Sequence, residues 1–237
     1  MEIEVVADPE SAARAAARFV AAEAREAAAA RGQFAVAFSG GHTPWVMLRA
    51  LADEVVPWDK VHVVQVDERV APSGDRDRNL THLRESLLDH APLHPDHIYA
   101  MPVEEHDLTV AAGEYDQMLQ RLAGSPPVLD LVHLGLGPDG HTASLVPGDP
   151  VLEITDADVA VTGPYQGHPR MTLTYPILNR SRRILWLVTG GDKAGMLVRL
   201  VNGDHSIPAG RVRQEAAVVI ADEAAAEQLG KESPGRT

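Results

Sequence analysis

The chain repeatedly runs an apolar stretch of strand length into a turn dense in glycine or charge, and then into a helical pattern. Phe34 to Phe38 stops at Ser39-Gly40-Gly41-His42-Thr43-Pro44, ahead of a helical pattern from Trp45 to Glu54. Val61 to Val66 stops at Asp67-Glu68-Arg69. Leu129 to Leu134 runs into Gly135-Leu136-Gly137-Pro138-Asp139-Gly140-His141-Thr142, and Ile184 to Val188 into Thr189-Gly190-Gly191-Asp192-Lys193, followed by a helix over Ala194 to Val201. Apolar strands alternating with helices predict an α/β fold with a mainly parallel sheet, covered on both faces and joined by right-handed crossovers. Loops that follow parallel strands share the carboxyl edge of such a sheet, where open α/β proteins bind ligands. These turns are therefore expected to converge on one site.

The remaining segments read as scaffold. Asp8-Pro9 is an N-cap followed by proline at the first helical position, and the helix it opens runs to Arg31 and closes at Gly32. Asn79 to Leu88 and Asp107 to Leu122 are helical, Ile98 to Ala100, Val159 to Thr162 and Met171 to Thr174 are short strands, and Ala217 to Ala221 is a last strand. Residues 230–237 are expected to be a frayed tail. The polar loop Ala71 to Arg78 is a lid candidate. With 237 residues, no internal repeat and no low-complexity linker, a single domain is expected over 1–237.

Charge and composition narrow the partners. A formal net charge of -13 argues against a nucleic-acid partner, which needs a basic face. No apolar run approaches the ~20 residues of a membrane helix, and no signal segment is visible, so no membrane partner and a cytoplasmic location are expected. The chain has no cysteine, which excludes disulfide and thiolate chemistry. His94, His97 and His133 lack partners at zinc-site spacing, and no metal is expected. The absence of a long exposed apolar stripe favours a monomer.

Strand, glycine turn and helix at Phe38 to Trp45 form a phosphate cradle in outline, because free backbone N–H groups and the positive end of a helix dipole both favour an anion there. An ordinary tight turn with proline opening a helix remains the rival. Lys193, at a helix start, opposes the dipole unless an anion is present. Asp139 and His141 supply an acid and a base, and imidazole is the side chain that titrates near neutrality. Asp67 reads equally well as a carboxylate capping a turn, His42 as lining, and Arg180, Arg182 and Arg183 as a solvated face.

SGGHTP at Ser39 to Pro44, VDERVAP at Val66 to Pro72, LGLGPDGHTASLVPG at Leu134 to Gly148, RMTLTYPILNRSRRILWLVTGGDKAGML at Arg170 to Leu197 and IPAGRV at Ile207 to Val212, in that order, resemble the 6-phosphogluconolactonase family. The resemblance implies a three-layer Rossmann-like sandwich shared with glucosamine-6-phosphate deaminases. It also implies hydrolysis of 6-phospho-D-glucono-1,5-lactone to 6-phosphogluconate in the pentose phosphate pathway, without metal or organic cofactor. Carried onto this chain, it gives Gly40, Gly41 and Thr43 to the substrate's phosphate, with Lys193 and Arg170 supplying positive charge. His141 becomes the general base, Arg69 stabilises the oxyanion or positions the lactone, and Asp67 contacts sugar hydroxyls or tunes the histidine. Arg170 precedes its strand, so it reaches the shared edge only if that strand runs antiparallel to its neighbours.

Two other readings stay open. The amino-sugar-phosphate deaminases and isomerases of the same fold resemble this chain at Asp67 and at Asp139-Gly140-His141, but their histidine works with a glutamate where this chain has Val146. A sugar-phosphate sensor that binds without turnover is the third reading.

Overall fold

The computed structural model describes residues 1–230. In chain order the main elements are β1 (Glu2–Val6), α1 (Pro9–Arg31), β2 (Phe34–Phe38), α2 (His42–Ala52), β3 (Val61–Gln65), β4 (Asp67–Arg69), α3 (Asn79–Leu83), β5 (Ile98–Tyr99), α4 (Leu108–Ala123), β6 (Leu131–Leu134), β7 (Val159–Tyr165), β8 (His168–Leu173), α5 (Tyr175–Arg180), β9 (Arg183–Val188), α6 (Ala194–Val201), β10 (Ala217–Asp222) and α7 (Glu223–Ala226). Seven strands form one sheet in the order β1-β10-β9-β6-β2-β3-β5, and every pairing in it is parallel. A smaller antiparallel sheet, β4-β8-β7, stands beside it.

Residue alternation within the strands builds the layers. On β2, Phe34, Val36 and Phe38 face a core shared with α1 and α2, while Ala35 and Ala37 face a second core that includes residues of α4, α5, α6 and the small sheet. The buried face of α1 is mostly alanine, which lets this 23-residue helix lie close to its neighbours. Its start follows the sequence expectation: the Asp8 side chain accepts from Ser11 N at 2.6 Å, and Gly32 closes the helix at φ 79°.

The chain runs from β2 to β3 and β5 on one side, and later returns to β6 on the other. The strand order therefore reverses between β2 and β6, at the kind of switch point where the following loops diverge and leave a crevice. Phe38 and Leu134 end these two strands, so the Ser39 turn and the Gly135 loop both open there.

Several features depart from the sequence reading. β1 was not anticipated: its residues are largely exposed, with Ile3 and Val5 at 41% and 48%, so it carries no buried apolar run to announce it. Asp67-Glu68-Arg69 is not simply a turn but strand β4, which leaves the large sheet after Val66 and pairs with β8, Asp67 opposite Thr172 and Arg69 opposite Arg170. Arg170 lies within its strand rather than ahead of it, since β8 begins at His168, and that strand runs antiparallel to β4 and β7 in this second sheet. Arg180, Arg182 and Arg183 are not a bare solvated face, since each pairs with an acid: Asp158, Asp130 and Glu23. The Ala71 to Arg78 loop is anchored at its end by buried Arg78, which donates to Ala71 O at 2.9 Å and lies 3.2 Å from Glu68. Of the expected tail, only Gly230 falls within the described residues.

Candidate active site

The turns after β2, β3, β6 and β9 surround a cleft of about 420 Å³. Gly40, Gly41 and Thr43 line it from one side, Lys193 from the end of the β9 turn, and Asp67, Arg69, His141 and Arg170 from the others. The eight residues given a role at the site by the resemblance thus meet in one place. His42 lines the cleft as well.

The first turn leaves backbone donors open. Helix α2 begins at His42 without a side-chain cap, and Gly41 before it takes φ 124°, a region open to glycine. Gly40 is glycine for a second reason: a Cβ there would lie 2.0 Å from Asn79 Oδ1. Thr43 Oγ1 and Thr189 Oγ1 are 2.7 Å apart, so the two Gly-Gly turns are tied to each other. Lys193 Nζ reaches the neighbouring Asp192 carboxylate, which offsets its unfavourable place at a helix start even without an anion.

The Asp139-Gly140-His141 loop is held from inside and outside. Gly137 N donates to His141 O at 2.8 Å, and a Cβ on Gly137 would lie 2.1 Å from His141 Nδ1. Gly140, at φ 82°, packs on Ile207, and its carbonyl accepts from Ala209 N at 2.9 Å, so the Ile207 to Val212 segment serves to brace this loop. Gly135, by contrast, meets nothing within 4 Å and does not need to be glycine for space.

His141 Nδ1 and Asp139 Oδ1 are 2.5 Å apart. Burial works to raise the Asp139 carboxyl, but hydrogen bonds from the His141 ring and backbone, with the ring's charge, outweigh it and leave the carboxyl below its ordinary value. An ionised carboxylate only accepts, so in the neutral ring it selects the tautomer with the proton on Nδ1 and the lone pair on Nε2, as a proton acceptor requires. Asp67 behaves differently. It is buried, and desolvation raises its carboxyl above the ordinary value against the Ser144 hydroxyl and the charges of Arg69 and Arg170. Ser144 Oγ donates to Asp67 Oδ2 at 2.6 Å, and Asn79 Nδ2 donates to Asp67 O at 2.9 Å.

Cations collect here against the acidic whole. Arg69 Nη1 donates to Asp77 O at 2.7 Å, and Arg170 Nη1 stands 3.9 Å from Asp67 Oδ2. Neither Arg69 Nε nor Arg170 Nε has a partner among the described residues. Burial presses the Arg170 guanidinium below its ordinary range, opposed by Asp67 and reinforced by Arg69. A cleft that brings together uncapped helix N–H groups, Lys193, two arginines and a carboxylate-held imidazole can bind an anion and move a proton.

Residues 7–221 match the family model described as glucosamine-6-phosphate isomerases/6-phosphogluconolactonase. The chain belongs to this family. A 6-phosphogluconolactonase of Mycobacterium tuberculosis is 36% identical over 241 residues, covering 96% of this chain and 98% of that one. Another, from Nostoc sp., is 37% identical over 174 residues, 72% of each chain. Among solved structures, the 6-phosphogluconolactonase of Thermotoga maritima superposes with a TM-score of 0.84 at 26% identity, over 93% of this chain and 98% of that one.

Membership in the glucosamine-6-phosphate isomerase/6-phosphogluconolactonase family accounts for the motif order, but not for every residue at the cleft. Asn79 and Gln166 line it from outside the turns expected to converge there, Thr189 opens one of those turns but was given no role, and Ser144 supports the cleft from behind. Ser144 and Thr189 lay inside motifs already quoted, so their neighbours carried a signal. Gln166 had none: it sits at a hairpin tip whose sequence reads as an ordinary turn. Among the described residues, no helix is long and apolar enough to cross a membrane.

Proposed function

We propose that this chain hydrolyses 6-phospho-D-glucono-1,5-lactone to 6-phospho-D-gluconate. The observation that carries the reading is the His141–Asp139 pair opening on the same cleft as Arg69, Arg170, Lys193 and the uncapped start of α2. The phosphate lies in the Gly40-Gly41 turn with Thr43, Lys193 and Arg170 around it. His141 Nε2 takes a proton from a water as its oxygen attacks the lactone carbonyl. Arg69 stabilises the oxyanion of the tetrahedral intermediate. As that intermediate collapses, the bond to the ring oxygen breaks and His141 returns its proton to that oxygen; the carboxylic acid so formed gives its remaining proton to solvent, and the open-chain carboxylate product leaves. Asp67 accepts from a sugar hydroxyl.

The deaminase reading finds no support at Val146, a buried apolar side chain with no carboxylate to join a ring-opening relay. The chain is further proposed to act as a single domain and a monomer in the cytoplasm, using only its own side chains and water. The deciding experiment measures hydrolysis of 6-phosphogluconolactone by the purified protein and by His141→Ala, with the spontaneous rate subtracted. An excess that falls by ~10²–10⁴-fold in the variant fits loss of a general base. An excess that survives removes His141 from that role, and no excess at all removes the lactonase reading.

A further inference from the structure

Tyr165 touches both the Asp139–His141 pair and the Arg170 guanidinium. Its hydroxyl reaches Asp139 Oδ2 at 3.3 Å, on the carboxylate whose other oxygen holds His141. Its ring meets the His141 imidazole edge-on, with centroids 5.4 Å apart, and the Arg170 guanidinium lies over it, 5.1 Å from the centroid.

The hairpin that carries Tyr165 explains how it comes to be there. Tyr165 pairs across to His168, which leaves Gln166-Gly167 as a two-residue loop with φ of 52° and 90°. Positive φ at both positions is the turn whose twist suits adjacent antiparallel strands, and Gln166 holds a conformation that a residue with a side chain seldom takes. The tip then closes around Arg170, whose Nη2 donates to Tyr165 O at 3.3 Å and lies 3.5 Å from Gln166 Oε1. Asp67, at 3.9 Å, is too distant to orient the guanidinium by hydrogen bonding.

We propose that Tyr165 is a positioning residue that couples the Asp139–His141 pair to Arg170, its hydroxyl holding the Asp139 carboxylate behind His141 and its ring face holding Arg170 toward an anionic group of the substrate. The inference rests on the lactonase reading. The hydroxyl acts on proton transfer and the ring face on phosphate binding, so the two contributions separate in kinetics. A carboxylate held by His141 alone can swing about its Cβ–Cγ bond, and a second donor restricts it. A guanidinium lying on an aromatic face keeps its plane and its outward N–H groups presented.

The test uses Tyr165→Phe and Tyr165→Leu with 6-phosphogluconolactone and unphosphorylated gluconolactone. Tyr165→Phe keeps the ring and is expected to lower kcat about three- to tenfold, as for loss of one hydrogen bond, with KM for the phosphorylated lactone unchanged. Tyr165→Leu is expected to raise that KM as well, by about two- to fivefold, while KM for the unphosphorylated lactone stays put. A side chain that only filled space would not split kcat from KM in this way. If Tyr165→Phe turns over like wild type, or if its KM rises as much as that of Tyr165→Leu, the inference is wrong while wild-type turnover still upholds the lactonase. If wild type shows no excess over the spontaneous rate, both fall. Should Tyr165→Leu fail to fold, the kcat-against-KM split in Tyr165→Phe decides alone.

Discussion

Ser144 Oγ donates to Asp67 Oδ2 at 2.6 Å, joining positions 77 residues apart at the floor of the cleft. Burial raises the Asp67 carboxyl above 3.8 even so. The folded protein therefore holds this proton more tightly than the unfolded chain does. The stability it contributes is complete below pH 3.8 and is lost as pH climbs through the raised value. Asp67→Asn cannot ionise and escapes that loss. Its stability relative to wild type is expected to improve between acid and neutral pH by about 1.4 kcal/mol for each pH unit separating the folded and unfolded values. Urea denaturation at both ends of the range measures this, and a flat difference refutes it. Ser144→Ala removes a contact that lowers the folded value, so it should extend the loss to higher pH.

Gly137 is glycine because His141 occupies the space a side chain would take. A Cβ there would lie 2.1 Å from His141 Nδ1, the atom bonded to Asp139. Gly137→Ala is expected to push the imidazole off its partner and lower kcat by about 10²-fold, the scale of a 1 Å misplacement at a reacting group, with little change in melting temperature. Gly135→Ala, with nothing within 4 Å of its added carbon, should keep its activity. Equal effects of the two substitutions would refute this account of Gly137.

His133, on β6, is the acid-sensitive point of the core. Burial pushes its imidazole down to about 3 from 6.5. Ser39 N donates to Nδ1 at 3.4 Å, which places the ring proton on Nε2, and that atom has no partner among the described residues. The unfolded chain protonates below 6.5 and the folded one does not, so stability present above that pH drains away as pH falls toward 3, by about 1.4 kcal/mol per pH unit. His133→Phe should flatten this dependence. Denaturation midpoints at pH 7, 5.5 and 4 are the measurement, and an unchanged slope would show that other groups govern acid unfolding.

Lys193 tests the anion side of the cleft. Lys193→Ala is expected to raise KM for the phosphorylated lactone by about 10–100-fold, the range for a hydrogen bond to a charged group, with a smaller effect on kcat. The unphosphorylated lactone should be indifferent to the change. If wild type turns over both lactones equally, the phosphate assignment around Lys193 is wrong.

Much of this protein was legible in its sequence because the signals were local. Five-residue apolar runs such as Phe34 to Phe38, alternating with helical patterns, suit strands covered on both faces in a parallel sheet, and glycine where a strand gives way to a helix suits close approach at the carboxyl edge. That logic located the turns that meet at the cleft, and the family resemblance carried by the ordered motifs named eight of the residues that line it. Other features depend on contacts between distant positions, and no local pattern reports them. β1 exists because β10 offers it an edge, although its own side chains are mostly exposed. Asp67-Glu68-Arg69 reads as a turn, yet β8 makes it a strand and thereby sets Arg69 opposite Arg170. The Ser144–Asp67 bond, the fit of Asn79 over Gly40, and Tyr165 standing between Asp139 and Arg170 join side chains far apart or across a hairpin. Residue types and their order determined which chemistry the chain could offer. Only packing decided which carboxylate is desolvated, which one orients the histidine, and what holds the arginines in place, because burial and distance are properties of the folded chain.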